Sequence, residues 1–363
     1  MNSRSVATKY WHPLDDGRLQ CDLCPRACKL REGQQGLCFV RARENDKVVL
    51  TTYGRSSGFA IDPIEKKPLK HFLPGTPVLS FGTAGCNLAC KFCQNWDMSK
   101  SRQMDTLADA ASPQKLARAA SNLECRSIAF TYNDPVIFHE YAIDVASACH
   151  ELGVQSVAVT AGYICPEPRT DFFAAMDATN IDLKGFTENF YYKICGAHLQ
   201  EVLDHLIYVK HEPDVWLEIT TLLIPGLNDS QEELETLCQW VVDHLGPDVP
   251  HHFTAFHPDW KMRDIQPTPA KTLQLARTIA KQAGMHYAYT GNVHDARGNS
   301  TFCHHCDELL IERDWYEMGR WNLAPGAVCP GCTTPLKGVF EQNPGNWGSR
   351  RQTIRFTDDN SKH

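Results

Sequence analysis

From Gly85 to Trp96 the chain reads Gly-Cys-Asn-Leu-Ala-Cys-Lys-Phe-Cys-Gln-Asn-Trp, which sets Cys86, Cys90 and Cys93 at C-x3-C-x2-C spacing. The apolar run Val78-Leu79-Ser80-Phe81 just before it reads as a buried strand. Three thiolates on one loop can hold three irons of a four-iron, four-sulfur cluster, where four cysteines would ordinarily serve. A metal site with one position left open is built for reaction rather than for structure. The competing reading is a structural zinc knuckle that borrows its fourth ligand from elsewhere. The C-x2-C half is common; the full spacing directly after a strand is much less so.

Sixteen cysteines in 363 residues demand an account. The first ten residues are polar and carry no apolar stretch of an export signal, so disulfides are not expected and a cytoplasmic setting is. Eleven cysteines fall into three short clusters, the pattern of metal ligands. The other five, Cys125, Cys149, Cys165, Cys195 and Cys238, read as buried thiols. Apolar residues make up 42%, enough for a sizeable core. A formal charge of −7 signals no broad nucleic-acid surface. No run approaches the roughly 18 apolar residues of a membrane span.

The first cluster is Cys21, Cys24, Cys28 and Cys38, separated by turn-forming glycines. Four thiols so placed suit one metal site, zinc or an iron–sulfur cluster, against the alternative of a reduced, metal-free cap. Residues 47–57 read as a strand and turn, and Asp62-Pro63-Ile64-Glu65-Lys66-Lys67-Pro68-Leu69 as a charged, proline-broken connector. Strand-like runs then recur at 78–81, 127–131, 155–160, 179–183, 215–223, 251–256 and 286–290. Helix-like segments separate them at 112–123, 136–151, 170–177, 200–211, 230–245 and 268–283. Ser112-Pro113, Asp229-Ser230 and Pro267-Thr268-Pro269 mark helix starts. Such alternation implies the α/β class: a parallel sheet with helices outside, read here as an open (β/α)6-type, TIM-like barrel. The expected division is a Cys-rich cap over 1–74, the barrel over 75–298, a four-Cys module over 299–345 and a polar tail over 346–363.

Catalytic groups of such a sheet belong at the C-terminal ends of its strands, where the cysteine loop also lies. Asn133-Asp134-Pro135 follows the second strand; its amide and carboxylate suit a bound ammonium, or simply cap a helix. In the fourth strand the period of two puts Asp182 and Lys184 on one face. Opposite charges facing a lumen must pair with each other or bind something. Glu218 and Thr220 share a face of strand five and carry no assigned role, and His257 stands at the end of strand six. After Gly298, Cys303, Cys306, Cys329 and Cys332 form two C-x2-C knuckles at close to zinc-ribbon spacing, with rubredoxin-like iron as the competing metal.

The loop resembles the signature of radical S-adenosylmethionine (SAM) enzymes, aromatic Phe92 before the last cysteine included. Asn133-Asp134-Pro135 stands where that superfamily usually has Gly-Gly-Glu-Pro, and Thr160-Ala161-Gly162 resembles a Thr-Asn-Gly turn of the glycyl-radical activases. Asp182-x-Lys184 and His257 also match activase positions near SAM. The order over roughly residues 12–340 is similar to that of AmmeMemoRadiSam-system radical SAM enzymes, relatives of pyruvate formate-lyase activating enzyme. The resemblance implies a [4Fe–4S] cluster on Cys86, Cys90 and Cys93, and SAM held near Asn133, Asp134, Asp182, Lys184 and His257. It implies reductive cleavage to methionine and a 5′-deoxyadenosyl radical, with electrons from a donor such as flavodoxin or ferredoxin. The substrate is not legible; one alternative is activation of a partner protein. A non-enzymatic rival is a zinc-ribbon interaction module on a degenerate barrel, which an intact three-Cys loop opposes.

Overall fold

The computed structural model describes residues 5–100 and 109–356. A nine-stranded sheet forms its centre. In chain order the strands are β1 (Phe59–Pro63), β2 (Pro77–Phe81), β3 (Ser127–Phe130), β4 (Gln155–Thr160), β5 (Ala178–Asp182), β6 (Trp216–Leu223), β7 (His251–Ala255), β8 (Ala288–Gly291) and β9 (Gln352–Ile354). Across the sheet they run β8-β7-β6-β5-β4-β3-β2-β1-β9. Strands β2 to β8 are mutually parallel; β1 is antiparallel to β2, and β9 antiparallel to β1.

A long helix lies between each successive pair of parallel strands: α1 (Pro113–Asn122), α2 (His139–His150), α3 (Pro166–Ala174), α4 (Leu199–His211), α5 (Gln231–Leu245) and α6 (Ala270–Gln282). The strands between them are buried almost throughout, as a parallel sheet covered on both faces must be. The expected strands and helices therefore appear, with ends shifted by a few residues. The helix starts at Ser112 and Ser230 are true caps: each hydroxyl accepts the backbone N–H three residues on. Thr268 is not such a cap. Its hydroxyl donates to the Leu223 carbonyl and accepts from Phe256 N–H, tying two strand ends together.

Two boundaries differ from expectation. The cap over 1–74 is not separate from the sheet, because β1 lies within it and pairs with β2. Nor do residues 346–356 trail as a polar tail. Gln352–Ile354 pairs with β1 at the sheet edge, and Trp347, Ile354 and Phe356 pack on the core. Residues 357–363 of the expected tail, like residues 1–4 and 101–108, lie outside the described residues.

The rest of the cap contains two three-stranded sheets, from Val6–Ala7, Arg41–Glu44 and Lys47–Leu50, and from Trp11–Pro13, Leu19–Cys21 and Lys29–Leu30. Arg41 is fully buried and locks the cap to α2, pairing with Glu140 and donating to the Ile137 carbonyl. At the other end Thr301–Phe302, Leu309–Asp314 and Glu317–Trp321 form the antiparallel sheet of the four-Cys module. That module buries Leu310, Ile311 and Leu336 against Tyr287 and Tyr289 of the last parallel strand and its approach. Among the described residues no helix is long and apolar enough to cross a membrane.

Candidate active site

The C-terminal ends of the parallel strands enclose a cavity of about 360 Å3, a size suited to a cofactor or substrate. Cys86, Cys90 and Cys93 all face it, together with Asn133, Asp134, Asp182 and Lys184. Among the described residues no fourth cysteine lines it.

The loop is held in shape from several sides. Gly85 N–H donates to Met98 O at 3.0 Å and closes it at its base. Gly85 has φ +84°, and a Cβ there would stand 1.9 Å from the Cys38 carbonyl oxygen, so no side chain is tolerated. Ala89 and Lys91 N–H groups donate to Cys195 and Ile194 carbonyls, both at 2.9 Å. Phe92 is buried and stacks with Phe190 at 6.2 Å between centroids. Leu88, Cys90 and Phe92 therefore belong to the main core, and the loop is a packed element.

Asn133 and Asp134 line the cavity, and their polar atoms serve the scaffold. The Asn133 amide accepts from Thr83 N–H and donates to Gly85 O at 2.7 Å, bracing the residue before Cys86. The Asp134 carboxylate caps Val136 N–H and also accepts from Thr160 Oγ1 and Ala161 N–H. Burial nevertheless pushes its pKa up to about 6. Asp182 and Lys184 do share a face, and they pair at 2.8 Å. Burial alone would lower the Lys184 pKa; the Asp182 carboxylate and the Cys90 thiol outweigh it and hold the ammonium well above its ordinary range. His257 does not join this group. Strand β7 stops at Ala255, and the turn that follows carries the imidazole out to solvent beside Gln94, at 3.3 Å.

Several residues at the site escaped sequence reasoning. Lys66 and Lys67 line the cavity, although their segment reads as a connector. Lys67 is buried against Asp62 at 2.9 Å, and Tyr132 Oη donates to the same carboxylate. Glu218 fastens that segment to the sheet by accepting from Lys70 N–H, His71 N–H, His252 and Trp216 Nε1. Thr220 lines the cavity with its hydroxyl buried and unpartnered. Cys195 lies under the loop, its carbonyl accepting from Ala89 N–H; the Cys195 side chain beside Cys90, with help from the Lys184 ammonium, brings the Cys90 pKa down to about 7 against burial. Cys86 accepts from Leu88 N–H at 3.5 Å, yet burial and the Asp134 carboxylate raise its pKa to about 12.

The donor set fits an iron–sulfur cluster with an open position. One zinc ion would draw its sulfurs to roughly 3.8 Å apart, given Zn–S near 2.3 Å. The four sulfurs of Cys303, Cys306, Cys329 and Cys332 approach that, all lying within 4.8 Å of one another. Cys86, Cys90 and Cys93 are not gathered so closely. The cavity also has room and unspent polarity for a cosubstrate: the Lys184–Asp182 pair and the orphaned Thr220 hydroxyl face it.

A parallel α/β sheet whose strand ends converge on a three-thiol loop and a cofactor-sized cavity defines an enzyme of cluster-based chemistry. The sequence profile of the radical SAM superfamily matches residues 81–241. An uncharacterized protein of Methanocaldococcus jannaschii is 39% identical over 314 residues, 86% of this chain and 93% of its own. The pyruvate formate-lyase-activating enzyme of Clostridium pasteurianum is 23% identical over 50% of this chain and 81% of its own. A putative glycyl-radical enzyme activating enzyme of M. jannaschii is 24% identical over 48% and 65%. The chain belongs to the radical SAM superfamily, and it is an enzyme.

Proposed function

We propose that this enzyme cleaves SAM reductively and uses the resulting radical to take a hydrogen atom from a substrate. The observation that carries this reading is the set of three loop thiols facing one cavity with no fourth cysteine. When bound there, the cluster and SAM supply an electron and a sulfonium whose sulfur–carbon bond breaks to methionine and a 5′-deoxyadenosyl radical. In this reading the chain's residues do the rest. Cys86, Cys90 and Cys93 hold the cluster; Asp182 and Lys184 present one carboxylate and one ammonium to the charged ends of SAM. Asn133 and Asp134 act by fixing the backbone around Gly85 and Ala161. The enclosing strand ends exclude water from a reactive species. Formation of 5′-deoxyadenosine by anaerobically reconstituted, reduced protein tests the proposal, and no product at full cluster loading sinks it.

A second reading is supported by the relatives named as activating enzymes: the hydrogen would come from a partner protein. The whole-chain order supports a place among the AmmeMemoRadiSam-system enzymes. A low-potential flavodoxin or ferredoxin is the proposed electron source.

In this scheme Cys195, whose carbonyl holds Ala89 of the loop, also donates its S–H to the Cys90 ligand and so tunes the cluster. A donor to a ligating sulfur stabilises the reduced state and raises the potential. Cys195→Ala is expected to leave the cluster assembled and lower its midpoint by roughly 40 mV, one net hydrogen bond of ~1 kcal/mol in a one-electron couple. A redox titration followed by electron paramagnetic resonance (EPR) reads this directly, and an unchanged midpoint removes the role.

For the C-terminal module we propose one structural metal ion, zinc or iron, supported by the gathered sulfurs. The Cys329→Ser, Cys332→Ser double variant should lose one metal per chain. It should also loosen the packing of Leu310 and Ile311 on Tyr289, since such small units depend on metal for folding. Elemental analysis with tryptophan fluorescence checks it, and retention of the metal sinks it.

A further inference from the structure

The four cysteines of the cap, Cys21, Cys24, Cys28 and Cys38, come together around one small enclosed cavity, although 17 residues of sequence separate the first from the last. They are not gathered into a single-ion group like the four sulfurs of the C-terminal module. Two guanidinium groups line it. Arg41 is buried, with its charge also directed at Cys21 and Cys38. Arg26 donates from Nε to the Asn87 carbonyl at 2.8 Å, while its Nη2 is buried with no partner. Four thiolates around a polynuclear iron core carry net negative charge and present acceptor sulfides. Nearby cations and an unspent N–H donor suit that core.

The cage also touches the catalytic loop. Asn87, the residue after Cys86, forms part of its wall. On the other side of Cys86, Gly85 lies against the Cys38 carbonyl. The cage and the loop that carries the three catalytic thiols therefore share a wall at Asn87 and touch at Gly85 and Cys38. The chain beside the cage also reaches solvent: Leu37, next to Cys38, is 47% exposed.

We propose that the cap holds a second iron–sulfur cluster on Cys21, Cys24, Cys28 and Cys38, which passes electrons to the cluster on Cys86, Cys90 and Cys93. The step is a one-electron transfer without bond changes. A low-potential one-electron donor reduces the cap cluster, and the cap cluster is reoxidised by the catalytic one. The relay rests on the radical SAM reading of the loop; the presence of a cap cluster does not.

The experiment uses the full chain, reconstituted anaerobically and reduced with dithionite. Acid-labile sulfide is the readout, because a zinc or single-iron site contributes none. The Cys86→Ala, Cys90→Ala, Cys93→Ala triple variant keeps the cage intact, and it should retain sulfide and iron in about one-to-one ratio. It should also give an EPR signal on reduction. The Cys24→Ser, Cys28→Ser variant should lose the cap's share of the sulfide and keep the loop's. The fully reduced wild type should show a spectrum broadened by coupling between the two clusters, unlike the sum of the two variants' spectra. A triple variant without sulfide, or with one zinc in the cage, overturns the cap cluster. A wild-type spectrum equal to the simple sum overturns the relay. A cage variant lacking loop sulfide while the triple variant keeps its own would locate the failure in the catalytic assignment instead.

Discussion

Cys86→Ala, Cys90→Ala and Cys93→Ala should each reduce 5′-deoxyadenosine formation to background. Each removes one of the three thiols that face the cavity, and no other cysteine lines it to take over. The effect should be all-or-none, since a cluster held by two thiolates has no third anchor. The protein should stay folded. The loop backbone is fixed by Met98, Ile194 and Cys195 carbonyls, which these changes leave in place. Cys90 is the most demanding of the three, because its side chain is buried in the main core. Product measured by chromatography beside a thermal unfolding curve separates lost chemistry from lost fold. Product at wild-type level in all three variants would falsify the cluster assignment.

Asp182→Asn and Lys184→Met should each weaken SAM binding tenfold or more, about 1.5–3 kcal/mol for a hydrogen bond to a charged group. The cluster should still assemble, because neither residue ligates it. The rival account treats the 2.8 Å pair as structural. Breaking a buried pair at one partner then costs up to about 3–5 kcal/mol of stability. The cost here should be smaller, because the Asp182 side chain is 34% exposed. The Asp182→Asn, Lys184→Met double variant discriminates between the two. A structural pair would regain stability when both charges go, with SAM affinity unchanged throughout. A binding pair would leave the double variant as defective for SAM as the worse single one. Calorimetric titration with unfolding curves on all three proteins decides the matter.

Much of this architecture can be read before any coordinates. The parallel strands and their helices announce themselves by apolar runs and caps, because a strand buried on both faces must be continuously apolar. The three loop cysteines are legible because chemistry demands their spacing. Asp182 and Lys184 are legible because strand period alone places them on one face. Other features are invisible for physical reasons. Gln352–Ile354 becomes a sheet strand only through pairing with Phe59–Pro63 across nearly 300 residues, and nothing local marks the two as partners. Asn133 and Asp134 stand where expected, but which atoms they satisfy depends on neighbours at Gly85 and Ala161. His257 looks convergent from its position after a strand, yet the turn beyond Ala255 decides where it points. Cys195 has no motif; its meaning comes from the loop resting on it.

The edge strand β9 carries a consequence for how the chain can be divided. After the last parallel strand, β8, the chain builds the four-Cys module and then returns to the opposite border of the sheet to pair with β1. Residues 75–298 taken alone would lack both strands that cover β2 on that side. The backbone N–H and C=O groups of Pro77–Phe81 that now pair with β1 would stand open. An uncovered, apolar strand edge is a template for self-association. Strands β1 and β9 thus act as a selvedge that keeps the catalytic sheet from growing into its neighbours.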